Sequence, residues 1–170
     1  MMIDPDGNEA LEFTTDYYND KGELLYHTDD GLKDAVIVPD AKIPELQAKL
    51  QEAKDNGTIN NPETNKKELH TLGQTTEQYA NQKTNGMGAD WTAGYNAEYT
   101  RTYNGEKRSV LSTIIDIVAH VSEDYLNFSG GERAGKSDGK NDRKEGKINR
   151  LDPRSSLKNN LPKIKLKDKN

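Results

Sequence analysis

The chain has 170 residues, enough for one domain of ordinary size, but only 31% of them are hydrophobic and another 31% are charged, so part of the chain is expected to stay solvated. It has no cysteine, which excludes disulfide scaffolds, thiolate nucleophiles and cysteine-ligated zinc. The net charge of −5 conceals a division between residues 1–100, which carry −11, and residues 101–170, which carry +6. The basic part could approach phosphates, or the two parts could neutralise one another.

The N-terminal part has the pattern of a small β unit. Three β-prone runs, 13–18, 23–27 and 34–38, are separated by the turn-rich segments Asn-Asp-Lys-Gly and Thr-Asp-Asp-Gly. They predict a meander of two or three short strands, which is marginal unless another element covers it.

A helix after the third run is expected to supply that cover. Its apolar residues recur at spacings of three and four: Ile43, Leu46, Leu50 and Ala53. Pro44 suits a first helical turn, and Gly57 suits a left-handed stop.

The chain then turns from β to helical character. Residues 58–68 are polar and predict a linker, followed by a helix over 66–82 that contains Gly73, an unfavourable helix residue. A further helix is predicted over 88–103.

That helix carries an aromatic stripe, in which four residues follow one another at intervals of four: Trp91, Tyr95, Tyr99 and Tyr103. The stripe could be a stacking platform for bases or sugars, with Tyr99 and Arg101 as substrate-binding residues. The interpretation we favour is a packing face, because such stripes usually bury area against a neighbouring helix.

Residues 109–126 have the apolar spacing of a core helix. Its polar side carries Asp116, His120 and Asp124 at intervals of four, with Glu123 beside them. These four residues are the predicted catalytic cluster. The carboxylates could orient a neutral His120 as a general base, and Asp116 and Asp124 could hold a divalent cation such as Mg²⁺. The alternative is a solvated helix face with ordinary ion pairs.

The segment 129–156 has glycine at every fourth position, namely Gly131, Gly135 and Gly139. A helix here would have one bare face that admits close backbone approach, and the aromatic stripe is the expected partner. The glycine spacing does not fit a P-loop, and Asp138-Gly139-Lys140 does not place oxygen ligands at the alternating positions of a calcium loop. Arg133 and Arg143 are the remaining candidates for substrate binding.

These elements predict an α+β fold. The expected order is a β meander with its covering helix (1–57), the linker (58–68), a helical domain (69–150) and an extended basic tail (151–170).

Residues 3–7 read Ile-Asp-Pro-Asp-Gly. This phrase resembles the exit point of the conserved core of Rhs/YD-repeat polymorphic toxins, where the repeat shell closes and the variable toxin region begins. The resemblance covers five of the 170 residues. It implies that the β unit is an adaptor between shell and toxin, and that the helical part is the toxin.

The resemblance also implies a function and partners. Toxin tips of this kind are secreted or injected into rival bacteria and are often nucleases, so we expect nucleic acid as the substrate and the recipient cytoplasm as the place of action. The expected protein partners are the Rhs shell and a cognate immunity protein. The alternative is a non-enzymatic helical module that disrupts membranes or binds a protein target, although no apolar run long enough for a stable membrane span occurs.

Overall fold

The computed structural model describes residues 13–106, 123–156 and 161–168. They belong to two compact units. Unit 1 comprises Met1–Tyr79 together with Asp152–Asn170, and unit 2 runs from Ala80 to Leu151. A small sheet near the N-terminus is followed by helices, which confirms the predicted α+β class.

The sheet of unit 1 has four strands in the order β2-β1-β3-β4. β1 (Thr15–Asn19) and β2 (Leu24–Thr28) form an antiparallel hairpin. β3 (Ala35–Val38) lies parallel to β1, and β4 (Gln74–Thr75) closes the far edge antiparallel to β3. The three predicted strands are present, but they do not form a simple meander. All four residues of β3 are buried, as is typical of a strand inside a sheet, and β3 accordingly lies between two neighbours.

The predicted covering helix is confirmed as α1 (Ile43–Asp55), which has a proline in its first turn and buries Leu46, Leu50 and Ala53. Gly57, just after it, has φ of 72°, a left-handed conformation that glycine adopts without strain. One hydrophobic core joins this helix to the sheet and to later segments. Its buried members are Tyr17, Leu25, Val36, Val38, Leu46, Leu50, Leu69, Leu72 and Ile164.

The segment predicted as a linker is packed into unit 1. Asn61 caps the short helix α2 (Pro62–Thr64) by accepting hydrogen bonds from the N–H groups of Glu63 and Thr64. Asn65 is fully buried and donates to an Asp30 carboxylate oxygen at 2.8 Å and to the Ile59 carbonyl at 3.0 Å. Since these bonds satisfy polar groups inside the fold, the polarity of residues 58–68 does not mark a domain boundary. The boundary falls at Tyr79 instead.

The helix predicted over 66–82 is interrupted. One π-helical turn (Asn65–Leu69) and one 3-10 turn (His70–Leu72) end at Gly73, and a separate helix, α3 (Thr76–Thr84), starts after β4. A Cβ on Gly73 would lie 2.5 Å from the Ile37 carbonyl oxygen. Gly73 is therefore the point where the chain passes close to β3 and pairs with it as β4.

The C-terminal segment is not a free tail. Ile164 is buried in the core of unit 1, and its N–H donates to the Leu25 carbonyl at 2.9 Å. The Gln51 side chain both donates to the Lys167 carbonyl and accepts from the Lys167 N–H. Earlier in this segment, Arg154 donates to the fully buried carboxylate of Asp16 at 2.7 Å.

Unit 2 is built on two helices, α4 (Ala89–Asn104) and α5 (Glu123–Lys144). A Cβ on Gly131 would collide with the Trp91 carbonyl oxygen, one on Gly135 with that of Tyr95, and one on Gly139 would lie 2.5 Å from that of Tyr99. These contacts follow one another in the same order on both helices, so α4 and α5 are parallel. The predicted packing of the glycine face against the aromatic helix is confirmed.

The aromatic stripe forms a stacked ladder along α4. Successive ring centroids of Trp91, Tyr95, Tyr99 and Tyr103 lie 5.4, 6.0 and 6.1 Å apart. The hydroxyl groups of Tyr95 and Tyr99 donate at 2.8 Å to the carboxylates of Asp138 and Asp142. The rings thus bridge the helices with both apolar area and buried hydrogen bonds.

Candidate anion-binding surface

The exposed side of α5 carries five cations and defines what we call the basic stripe: Arg133, Lys136, Lys140, Arg143 and Lys144. At 3.6 residues per turn these positions fall within an arc of about 100° and extend over about 16 Å of the helix. The sequence predicted Arg133 and Arg143 as binding residues but missed Lys136, Lys140 and Lys144. The spacing of three and four between these basic residues was the signal that would have found them.

Two carboxylates of α5, Asp138 and Asp142, face away from this arc. Asp138 accepts hydrogen bonds from Tyr95 and, at 2.8 Å, from the Lys83 ammonium group. Asp142 is buried and accepts from Tyr99, with the Arg150 guanidinium 3.7 Å away. Glu132 borders the arc without entering it. Asp138 and Asp142 therefore do not neutralise the basic stripe.

At one end the stripe joins a groove between α4 and α5, which we call the basic groove. It is lined by Arg101, Thr102, Gly105, Glu106, Lys136, Lys140 and Arg143. Arg101 is held in place by Glu98, to which its Nε and Nη2 donate at 2.9 and 2.6 Å, and by the Glu106 carbonyl. The two helices thus bring cations together from both sides of the groove.

Arg143 lies directly against Gly105. A Cβ on Gly105 would collide with the guanidinium group. Gly105 also ends α4 with φ of 75°, a left-handed conformation in which side chains are strained. Two separate reasons thus require glycine at position 105: the left-handed end of α4 and the close approach of Arg143.

Tyr99, predicted as a substrate-binding residue, lies in the interface instead. Its side chain is fully buried and stacks between Tyr95 and Tyr103. Its hydroxyl donates to Asp142 and accepts from the Arg150 N–H at 3.1 Å. A ring enclosed in this way has no open face for a base or sugar, which corrects the alternative in which Tyr99 forms a stacking platform.

The predicted catalytic cluster is not placed by the structure. Asp116 and His120 lie outside the described residues, and so does most of the predicted helix 109–126. Glu123 and Asp124 begin α5, but their side chains are likewise outside the description. Within residues 13–106, 123–156 and 161–168, no group of three acidic or histidine side chains could hold a metal ion. The cluster and its Mg²⁺ site remain predictions.

Unit 1 contains buried titratable groups that the sequence did not single out. Burial raises the pKa of Asp16, while the adjacent Arg154 opposes that shift. Burial also lowers the pKa of His70, although the Asp34 carboxylate, 3.8 Å from its Nδ1, opposes the change. The Tyr17 ring contacts His70 edge-on. All of these groups lie in or beside the sheet, where they form part of its packing.

Comparisons with models of known protein families, with curated proteins and with solved structures found no match to this chain. Among the helices that the structure describes, none is both long and apolar enough to cross a bilayer. The geometry of the basic stripe and basic groove is accordingly the basis for a functional proposal.

Proposed function

We propose that unit 2 binds nucleic acid through the basic stripe, and that the chain is the toxic tip of an Rhs-type polymorphic toxin, acting as a nuclease in the recipient cytoplasm. The observation that carries the binding proposal is the sorting of charge on α5, which has five exposed cations on one side and two hydrogen-bonded carboxylates, Asp138 and Asp142, on the other. Phosphate backbones are bound chiefly by such arrays of lysine and arginine.

The placement of charge supports this proposal more strongly than the amount of charge. Unit 2 as a whole has a net charge of only +1. Two of its carboxylates, Asp138 and Asp142, are engaged inside the helix pair. A nearly neutral unit can therefore present a local positive field to a polyanion.

The toxin part of the proposal is supported by the resemblance of residues 3–7 to the core exit of Rhs proteins. Nuclease chemistry would come from His120, Asp116, Asp124 and Glu123, with Asp116 and Asp124 as ligands for a divalent cation. A cognate immunity protein would have to cover the basic stripe or this cluster to protect the producing cell.

The test is fluorescence anisotropy with a labelled DNA duplex over a salt series. Exchanging both Lys136 and Lys140 for glutamine should weaken binding about tenfold and make it less sensitive to salt, because two cations that face the phosphate backbone are lost. The matched control exchanges Lys66 and Lys67, two exposed lysines of unit 1, and should leave affinity unchanged. Cleavage of the same duplex in Mg²⁺ reports the nuclease part separately.

Two results would contradict the binding proposal. One is a parent protein that fails to bind DNA or RNA even at low salt. The other is an equal loss of affinity in the Lys66 and Lys67 control, which would show that only total charge matters.

A further inference from the structure

The basic groove differs from the rest of the basic stripe in being concave and lined from two helices. Arg101 comes from α4, whereas Lys136, Lys140 and Arg143 come from α5. With Glu106, the charged residues that line the groove sum to a net charge of +3. Arg133 and Lys144 lie outside it on the exposed side of α5. Cations that line a groove from two helices can approach one anionic group from two sides, which a row of cations on a convex helix cannot do.

The groove is also partly preorganised. Three of the five N–H groups of Arg101 are used to fix it to Glu98 and to the Glu106 carbonyl, which leaves two to donate elsewhere. Arg143 is placed by its contact with Gly105. In the described part of the chain, Lys136, Lys140 and Arg143 form no ion pair with a carboxylate. A ligand therefore meets one guanidinium group that is held in place, that of Arg101, and three cations that form no ion pair within the described residues.

We propose that the basic groove is a subsite that anchors one phosphodiester group of the bound nucleic acid, with Arg143 held in position by Gly105. This inference rests on the proposed function and names the point of closest contact within it. The remaining stripe cations, Arg133 and Lys144, then add long-range attraction without a defined partner. Arg143 should consequently contribute more to affinity than Arg133, although both are exposed arginines of the same helix.

Gly105 permits a test that changes no charge. Gly105→Ala places a methyl group where the Arg143 guanidinium lies and should displace it from the groove. Gly146→Ala is the matched control, because Gly146 follows α5 with φ of 66° but has no neighbour within 4 Å of a Cβ. Both variants carry the same left-handed strain, and only one of them affects the groove.

The measurement is affinity for a DNA duplex by anisotropy, with circular dichroism to confirm that each variant is folded. Arg143→Ala should weaken binding about tenfold. Gly105→Ala should weaken it to a similar extent, and Gly146→Ala should not. In the Arg143→Ala background, Gly105→Ala should have no further effect, since its action passes through the arginine.

The inference is overturned by equal affinities of the Gly105 and Gly146 variants, or by equal losses for Arg143→Ala and Arg133→Ala. If either result is found while exchange of Lys136 and Lys140 still weakens binding, the proposed function stands and only the anchoring subsite is disproved. Absence of binding by the parent protein removes both. If Gly105→Ala unfolds the chain, the inference is tested only by comparing the affinities of Arg143→Ala and Arg133→Ala.

Discussion

Gly135 lies at the centre of the glycine face, and substituting it tests how unit 2 is held together. A Cβ at this position would collide with the Tyr95 carbonyl oxygen and lie 2.9 Å from the Tyr99 nitrogen. Both neighbours are backbone atoms of a helix, so neither can rotate aside as a side chain would. Gly135→Ala therefore has to push α4 and α5 apart.

The expected change in the free energy of unfolding is the sum of two opposing contributions. Replacing a helical glycine by alanine gains about 1 kcal/mol of helix propensity. Overpacking of a well-packed interface costs about 1–3 kcal/mol, and more where rigid groups collide. Because Gly131 and Gly139 make the same contact one turn away on either side, separation at Gly135 also loosens those turns. We expect a net loss of about 2 kcal/mol for alanine and more for leucine.

Thermal unfolding followed by circular dichroism measures this loss. For a unit of this size, about 2 kcal/mol corresponds to a fall in Tm of roughly 10 °C. Gly130→Ala is the matched control in the same helix, because its Cβ would meet only the Trp91 ring, at 3.3 Å. It should be neutral or slightly stabilising. A Gly135→Ala protein as stable as the Gly130→Ala protein would refute the close approach of the two helices.

Two further predictions concern unit 1. Burial lowers the pKa of His70 in the folded chain. When the pH falls below 6.5, the usual pKa of histidine, the unfolded chain therefore binds a proton at His70 more readily than the folded chain does. Stability to urea should therefore fall as the pH falls below that value, and His70→Gln should flatten this dependence; an unchanged slope would contradict it. Ile164→Ala should cost about 2–3 kcal/mol through loss of core packing. The control is Leu161→Ala, which changes a side chain that is 73% exposed and should cost under about 0.5 kcal/mol. If the two variants lost the same free energy of unfolding, Ile164 would not be packed in the core.

Elements defined by short-range patterns could be predicted from the sequence. α1 follows from the spacing of Leu46, Leu50 and Ala53 together with its proline and glycine ends. The pairing of α4 with α5 follows from two independent repeats of four, one of aromatic residues and one of glycines. In each case the residues that carry the signal also make the contact, so pattern and packing agree.

Features that depend on distant segments could not be predicted in this way. The parallel pairing of β3 with β1, the break at Gly73 and the docking of Ile164 are all contacts between residues far apart in the chain. The last residues were predicted as an extended basic tail because of their many lysines. The apolar residues Ile164 and Leu166 alternate with these lysines and face the core. For the candidate site, Arg101, Arg133 and Arg143 were found from their residue type, whereas the groove required the position of Gly105.

The charge on α5 shows how packing and the proposed function are connected. The helix contains five cations and five carboxylates and has no net charge. The glycine face allows close approach of α4, and that approach brings the hydroxyl groups of Tyr95 and Tyr99 to Asp138 and Asp142. Two carboxylates are thereby engaged between the helices, while the cations remain on the exposed side. The interface that stabilises unit 2 thus also shapes the charge of its surface, because the same hydrogen bonds that join the helices direct these two carboxylates away from the basic stripe.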